Sequence, residues 1–246
     1  MQSRNGFSST RGRKLLAKEL FDRGFKWVSN FTSPRAKALT IIGLQHYNKV
    51  FPDDNNLLRN TRRVTDQLCE SVQQATPEWR WFEPYLTYEN ARLSQALFKA
   101  YTSTKIDAYR KIGEASFNFL IKNQISDDVF YPFGNRGWYE KNYVKALYDQ
   151  QPVEAACMVE TAITAFHVLG DERYLEVARV AFDWFLGKNS QIVWVYDPRT
   201  VGCYDGVTPQ GVNLNQGAES TICYLLARLE LENISNPINS KSLTDL

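Results

Sequence analysis

The sequence predicts an all-α fold, an incomplete (α/α) toroid of about eight helices arranged as inner and outer hairpins. Residues 152–168 are nearly all small or apolar, which is typical of an inner helix buried on most sides. Residues 171–185 repeat apolar side chains every three or four positions, which indicates a two-faced outer helix. The same pairing recurs at 88–124, and another inner helix begins at 217, so the chain stacks copies of one unit.

Three glutamates mark this repeat, because each stands at the start of a predicted inner helix. Glu89, Glu154 and Glu219 are separated by two equal steps of 65 residues. Short turns such as Gly170-Asp171 follow the inner helices, and long loops precede them. In a toroid, the long loops would therefore meet at one face, around the N-terminal ends of the inner helices. We call this face the mouth.

The other elements follow from local signals along the chain. Ser33 can cap a helix that begins at Pro34, where the missing N–H of proline costs nothing. Residues 192–196 are the one strand candidate. The predicted order is helix 11–30, inner helix 34–50, outer helix 55–75, aromatic loop 77–85, hairpin 88–124, loop 125–151, hairpin 152–188, loop 189–216 and inner helix 217–232.

Composition and charge limit the class of protein. The net charge of +2 gives no electrostatic case for binding nucleic acid or a membrane. No apolar run approaches the roughly 20 residues of a membrane span, and residues 1–13 lack the apolar segment of a signal peptide. The four cysteines show no close pairing, so we expect a reduced, cytoplasmic setting. One toroid domain is expected at 10–232, between a disordered N-terminus at 1–9 and a flexible tail at 233–246.

The three long loops are unusually rich in aromatic and amide side chains, which suit a sugar-binding surface. Cleavage of a glycosidic bond needs two carboxyl groups, one acting as acid and the other as base or nucleophile. The predicted catalytic carboxylates are Glu83, Asp149 and Asp205. The predicted substrate-binding residues are Trp79, Trp81, Tyr85, Glu89, Asn90, Arg92, Arg136, Trp138, Gln150, Glu154, Tyr204, Asn215 and Glu219.

Each candidate also has a structural interpretation. A glutamate in a first helical turn is stabilised by the helix dipole, which applies to the three repeat glutamates. Asp205-Gly206 is also an ordinary turn sequence. Glu83 lies between Phe82 and Pro84, where apolar surroundings would raise its pKa and suit a general acid. The aromatic loops can equally close the mouth without binding anything.

Cofactor and metal chemistry find no support in the sequence. There is no Gly-rich phosphate loop and no Cys/His metal spacing, so no cofactor or metal is expected. His46 and His167 lie in the C-terminal halves of predicted inner helices. We therefore expect both to lie away from the mouth, which disfavours a histidine proton shuttle.

Three segments, 79–96, 149–156 and 215–231, resemble the six-hairpin glycosidase-like toroid proteins. The branch that they resemble consists of bacterial proteins often described as glycosyltransferases or as glycosyltransferase C-terminal domains. The resemblance implies a carbohydrate ligand bound at the inner-helix N-terminal mouth. It leaves open whether the chain is hydrolase-like or a non-catalytic binding or scaffold domain that serves a glycosyltransferase. Because a complete toroid has six hairpins, three alternatives are open: the chain is a fragment, a shortened member, or a unit that a protein partner or a second copy completes.

Overall fold

The computed structural model describes residues 10–54, 56–74 and 76–235. Within these ranges the chain forms eight α-helices, which confirms the predicted fold class. Their bounds are α1 Thr10–Phe25, α2 Pro34–Val50, α3 Leu57–Glu70, α4 Ala91–Thr104, α5 Asp107–Gln124, α6 Pro152–Leu169, α7 Arg173–Asp183 and α8 Ala218–Ser235.

The helices form an inner row and an outer row. The inner helices α2, α4, α6 and α8 pack side by side in that order. The outer helices α3, α5 and α7 each pack against the inner helix that precedes them. The inner helices α2, α4 and α6 therefore each turn back into an outer partner, and the four inner helices run in the same direction. This is the hairpin array of an α/α toroid, present over part of the ring.

Helix α6 shows how the sequence sets this pattern. Pro152 occupies its first turn, and Gly170 ends it in a left-handed conformation with a φ of 71°. Most of its side chains are buried among α4, α7 and α8. Among the described residues, α6 alone is long and apolar enough to cross a membrane, and 61% of that stretch is buried inside the fold. Packing on both sides therefore accounts for its apolar composition.

The loops contain short strands that the sequence analysis missed. Within the described ranges they pair as four two-stranded antiparallel sheets, of two or three residues per strand. The pairs are β1 Tyr85–Leu86 with β4 Tyr139–Glu140, β2 Ile125–Ser126 with β3 Val129–Phe130, β5 Tyr196–Asp197 with β6 Gly202–Cys203, and β7 Gly206–Thr208 with β8 Gly211–Asn213. The strand expected at 192–196 was wrong except at Tyr196. Strands of two or three residues are too short to show an alternation of apolar and polar side chains in the sequence. Contacts with the rest of the fold hold them in place.

Several predicted helix ends also differ from the structure. The helix expected at 11–30 ends at Phe25, and a 3₁₀ turn follows at Val28–Asn30. The outer helix expected at 55–75 is α3, followed by a 3₁₀ turn at Ser71–Gln74. Helix α8 runs to Ser235, three residues beyond the expected end of the domain. The predictions for residues 1–9 and 236–246 lie outside the described residues.

Candidate functional site

A cavity of about 820 Å³ lies between the four inner helices. It extends from Glu89, just before α4, to Lys49 and Val168 at the opposite ends of α2 and α6. Its polar lining consists of Gln45, His46, Asn48, Lys49, Glu89, Arg92, Gln95, Lys99, Thr102, Ser103, Glu160, Thr164, His167 and Glu230. A large concave space with convergent polar groups is the usual form of a small-molecule site.

An ion pair between α4 and α6 forms one wall of this cavity. Arg92 donates from both terminal nitrogens to the two carboxylate oxygens of Glu160, at 2.6 and 2.8 Å. The same guanidinium donates to the Gln95 side chain at 2.7 Å, and Gln95 donates to Thr164 at 3.3 Å. Bidentate pairing of this kind fixes both side chains and leaves an ordered row of donors and acceptors.

The other end of the cavity holds groups with shifted pKa values. Burial lowers the pKa of Lys99, and the nearby Lys49 lowers it further. Burial also lowers the pKa of His46, together with the positive charges of these two lysines. The pKa of Glu230 is raised by its partial enclosure and by the neighbouring charge of Glu160. Titratable groups of both signs therefore share one space.

Both histidines line this cavity, at the end away from the mouth. Each does occupy the C-terminal half of an inner helix, His46 in α2 and His167 in α6. The sequence analysis considered a site at the mouth alone. The cavity follows the inner helices along their length.

At the mouth, a buried network links the start of α2 to the loop before α4. The Arg35 guanidinium donates to Glu83 at 2.5 Å, to the Tyr88 carbonyl at 2.7 Å and to Asn90 at 3.2 Å. The side chains of the Arg35–Glu83 pair are only 9% and 10% exposed. Glu83, a predicted catalytic carboxylate, is thus held in an ion pair that joins two segments of the fold.

Glu154 extends the same network to the start of α6. Its carboxylate accepts from the Glu89 backbone N–H and from the Asn90 side chain, at 3.2 Å for the latter. Burial raises the pKa of Glu154 to about 7, and these donors offset the rise only in part. Glu89 lies outside the helix, with a φ of 50°, so the expectation that it occupies a first helical turn was wrong.

The other two predicted catalytic carboxylates, Asp205 and Asp149, have partners outside this network. Asp205 accepts from the Gly217 backbone N–H and the Ser220 hydroxyl, both at 2.7 Å, and from the Asn215 side chain. Although burial acts to raise the pKa of Asp205, these hydrogen bonds outweigh it and lower that pKa. The carboxylate therefore anchors the start of α8. Asp149 forms an ion pair with Arg136 at 2.9 Å, and both residues belong to the 125–151 loop. The three predicted catalytic carboxylates have different partners.

The predicted aromatic residues divide into buried and accessible groups. Trp79 and Trp81 are 5% and 1% exposed, and both pack near Phe119. Little of either ring is left open to a ligand, so the structure favours a packing role for these two. Tyr85 is exposed, and Trp138 is half-buried beside Tyr88.

The rest of the predicted binding set is spread over the mouth. Gln150 is buried and accepts from the Trp184 indole at 2.8 Å. Tyr204 donates to Asp197, and Glu219 is exposed in the first turn of α8. From the predicted set, Glu89 and Arg92 line the cavity. The sequence analysis missed Glu160, Lys99 and Glu230, whose only sequence signal is a charged residue inside an apolar inner helix.

Solved structures with the same fold are known. The α-1,6-mannanase GH76A of Salegentibacter sp. superposes with a TM-score of 0.62 at 12% identity, over 84% of this chain and 56% of that enzyme. A D-mannose isomerase gives 0.58 at 14% identity, over 86% of this chain and 56% of the other. A sugar epimerase from a ruminal bacterium gives 0.51 at 14% identity, over 81% and 56%. Neither a family model nor a curated protein matches the sequence.

These similarities show the fold, an α/α toroid. The chain spans a little over half the length of these neighbours. An inactive variant of the mannanase, with two adjacent aspartates replaced, has been solved with α-1,6-mannotriose. Adjacent aspartates occur twice in this sequence, at Asp53-Asp54 and Asp127-Asp128. Both pairs lie in turns, and neither lines the cavity.

Proposed function

We propose that this chain is a carbohydrate-active toroid protein that binds a saccharide in the cavity between its inner helices. The observation that carries the proposal is the polar cavity of about 820 Å³ lined by all four inner helices. Its volume falls in the usual range of small-molecule sites, about 300–1,000 Å³. The sugar-acting proteins that share the fold support a carbohydrate ligand.

The chemistry of the wall suits hydroxyl groups. Sugar hydroxyls both donate and accept, so they need fixed partners of both kinds. The Arg92–Glu160 pair, with Gln95 and Thr164 beside it, offers guanidinium donors, carboxylate acceptors, an amide and a hydroxyl. Because these side chains already hold each other in place, a ligand that binds there orders few additional rotamers.

Two of the three carboxyl groups that line the cavity, Glu160 and Glu230, support a hydrolase-like reaction. Arg92 holds Glu160 by two hydrogen bonds, which suits a carboxylate that acts as base or nucleophile. Glu230 has a raised pKa, which suits a proton donor to the leaving oxygen. Two carboxyl groups whose surroundings differ in this way are the usual basis for assigning acid and base roles. We therefore place the catalytic roles at Glu230 and Glu160.

The alternative is a non-catalytic saccharide-binding or scaffold domain that serves a glycosyltransferase. The hydrogen bonds of Glu83 and Asp205 favour this alternative. Because these two predicted catalytic carboxylates are already bound to other protein groups, they do not form an acid–base pair at the mouth. A binding domain needs the cavity wall but no acid–base pair.

Calorimetric titration tests the proposal, with mannose, glucose, galactose and α-1,6-mannotriose as ligands. Glu160→Gln breaks the bidentate pair and should weaken binding at least about tenfold, which is about 1.4 kcal/mol. Glu176→Gln is the matched control, because Glu176 is an exposed glutamate of α7 paired with Arg179. No binding by the wild type, or equal affinities for both variants, would refute the cavity as the site.

Product analysis separates the two alternatives. The hydrolase proposal expects new reducing ends from an oligosaccharide, lost in Glu230→Gln while binding persists. The binding-domain alternative expects saccharide to bind without any product. A catalytic pair at Glu160 and Glu230 is excluded if wild type and Glu230→Gln release product at the same rate.

A further inference from the structure

The 189–216 loop builds an aromatic pocket that is separate from the central cavity. It has a volume of about 330 Å³ and is lined by Trp194, Tyr196, Asp197, Pro198, Arg199 and Tyr204. None of these residues lines the cavity between the inner helices. Three aromatic rings beside a carboxylate and a guanidinium are the kind of side chains that a sugar ring can stack on and hydrogen-bond to.

Trp194 is exposed yet held in place. Its side chain is 55% exposed. Gly187 lies beneath it in a left-handed conformation, with a φ of 104°. A Cβ at that position would lie 3.2 and 3.4 Å from two atoms of the indole ring. The glycine therefore lets the indole rest on the backbone, so that one side is supported and the other is open to solvent.

The polar part of the pocket is equally fixed. Asp197 is 5% exposed and accepts from the Tyr204 hydroxyl at 2.9 Å and from Arg199 at 3.0 and 3.2 Å. The strands β5 and β6 hold this loop, and Tyr196 stacks on Tyr224 of α8 with ring centres 4.1 Å apart. The pocket is therefore preorganised.

Charge in the pocket selects a neutral ligand. The Arg199 side chain is 83% exposed, and Asp197 uses only part of its five N–H donors. The paired carboxylate cancels the guanidinium charge, so an anion gains little over a neutral hydroxyl. A pyranose that stacks on the open side of Trp194 would place its hydroxyls within reach of the remaining donors.

We propose that the pocket at Trp194 is an accessory subsite for a neutral pyranose unit of an oligosaccharide. This proposal rests on the proposed function, because it adds a second contact for the same class of ligand. A subsite outside the cavity would increase affinity for oligosaccharides and leave single sugars unaffected.

The test compares Trp194→Ala and Trp194→Phe with Trp27→Ala, a control at another tryptophan that is 67% exposed. The probes are α-1,6-mannotriose, maltotriose, cellotriose and mannose in calorimetric titrations. We expect Trp194→Ala to weaken binding of a trisaccharide at least about tenfold. Trp194→Phe should restore part of the loss, and Trp27→Ala should match the wild type.

The outcomes separate this proposal from the proposed function. If trisaccharides bind equally well to wild type and Trp194→Ala, the subsite is refuted and the cavity proposal stands. If Trp194→Ala weakens binding but Glu160→Gln does not, the subsite stands and the cavity proposal fails. If no saccharide binds the wild type, both fail.

A second, independent observation concerns the ends of the helix array. Helix α8 exposes a stripe of large apolar side chains, Ile222, Leu225, Leu226 and Leu229, which are 43–53% exposed. Their spacing of three, four and seven residues places them on one face. Contiguous apolar surface of this kind marks an interaction site.

Helix α1, at the other end of the array, carries the complementary surface. It exposes Leu15, Leu16 and Leu20, which are 58%, 38% and 61% exposed. Its sequence has five basic and two acidic residues, a net charge of +3, whereas α8 has three acidic and one basic, a net charge of −2. Both helices therefore expose apolar side chains, and their net charges are opposite in sign.

We propose that α8 docks against α1 of a second copy of this chain. Because each copy carries both surfaces, two copies related by a twofold axis would form two identical contacts and close the assembly. The partner copy would also cover Leu226, which is 45% exposed and lines the cavity.

Mixing variants tests this contact by light scattering coupled to gel filtration. One double variant carries Leu16→Gln and Leu20→Gln, and the other carries Leu225→Gln and Leu229→Gln. We expect the wild type to form dimers, each double variant to be monomeric, and an equimolar mixture to recover dimers through its one intact contact. Val144→Gln, at a residue 93% exposed on another loop, is the control and should remain dimeric. A monomeric wild type at about 100 µM, or one double variant that still dimerises, would overturn the proposal.

Discussion

Replacing Glu154 with glutamine should change the way in which stability depends on pH. Burial raises the pKa of this carboxyl from its ordinary value of 4.5 to about 7. A tenfold change in proton affinity corresponds to about 1.4 kcal/mol, so the rise corresponds to about 3 kcal/mol of unfolding free energy. The carboxyl is buried at the mouth, and the hydrogen bonds that it accepts from the Glu89 backbone and the Asn90 side chain offset only part of this rise.

The sign follows from which state holds the proton. Below pH 4.5 the carboxyl is protonated in both the folded and the unfolded chain, and the shift has no effect. Between pH 4.5 and about 7 the unfolded chain releases this proton and the folded chain keeps it. The free energy of unfolding therefore falls as the pH rises through this window, and the loss is complete above it.

Urea unfolding of wild type and Glu154→Gln at about pH 4.5, 6 and 8 measures the effect, with circular dichroism as the probe. From the lowest to the highest pH, the free energy of unfolding of Glu154→Gln should rise by about 3 kcal/mol relative to that of the wild type. Glu176→Gln on α7 corrects for the loss of an exposed carboxylate. A difference that stays the same at all three pH values would refute the reasoning about burial.

Two further predictions concern the packing of the loops. Arg35→Ala should destabilise the chain by about 3–5 kcal/mol, because it leaves Glu83 buried without its partner; a loss below about 1 kcal/mol in urea unfolding would show that this pair is solvated. Gly134→Ala should prevent or severely weaken folding, because its Cβ would lie 2.0 Å from the Tyr148 carbonyl oxygen. The control is Gly43→Ala in α2, where the added Cβ would have no atom within 4 Å. This control should raise the free energy of unfolding by about 0.5–1 kcal/mol. Thermal melts that rank the two variants the other way would contradict the packing of this loop.

The helices were predictable because their signals are local. Pro152 and Gly170 mark the ends of α6, and a helical period runs through the outer helices. The distribution of apolar residues along each helix indicates whether it is an inner or an outer helix. The short strands carry no such signal, because each depends on a partner brought close by the rest of the fold. Tyr85 and Glu140, for example, pair across more than fifty residues of sequence.

The candidate site was less predictable, because its contacts join distant parts of the chain. Arg35 and Glu83 are 48 residues apart, and Arg92 and Glu160 are 68 apart. Nothing in the sequence around Glu83 indicates that a guanidinium from another helix occupies its surroundings. Aromatic content also fails to separate core from surface, since Trp81 is buried and Trp194 of a similar loop is exposed.

The most direct test of a saccharide in the central cavity is a methyl NMR titration of the wild-type chain with α-1,6-mannotriose and mannose. Ile42, Ile163 and Leu226 line the cavity and report binding there, whereas the exposed Val144 lies outside both the cavity and the Trp194 pocket. A saccharide bound in the cavity should give saturable shifts of the three lining methyl groups with either sugar. Saturable shifts confined to methyl groups outside the cavity, or no shift with any sugar, would contradict it.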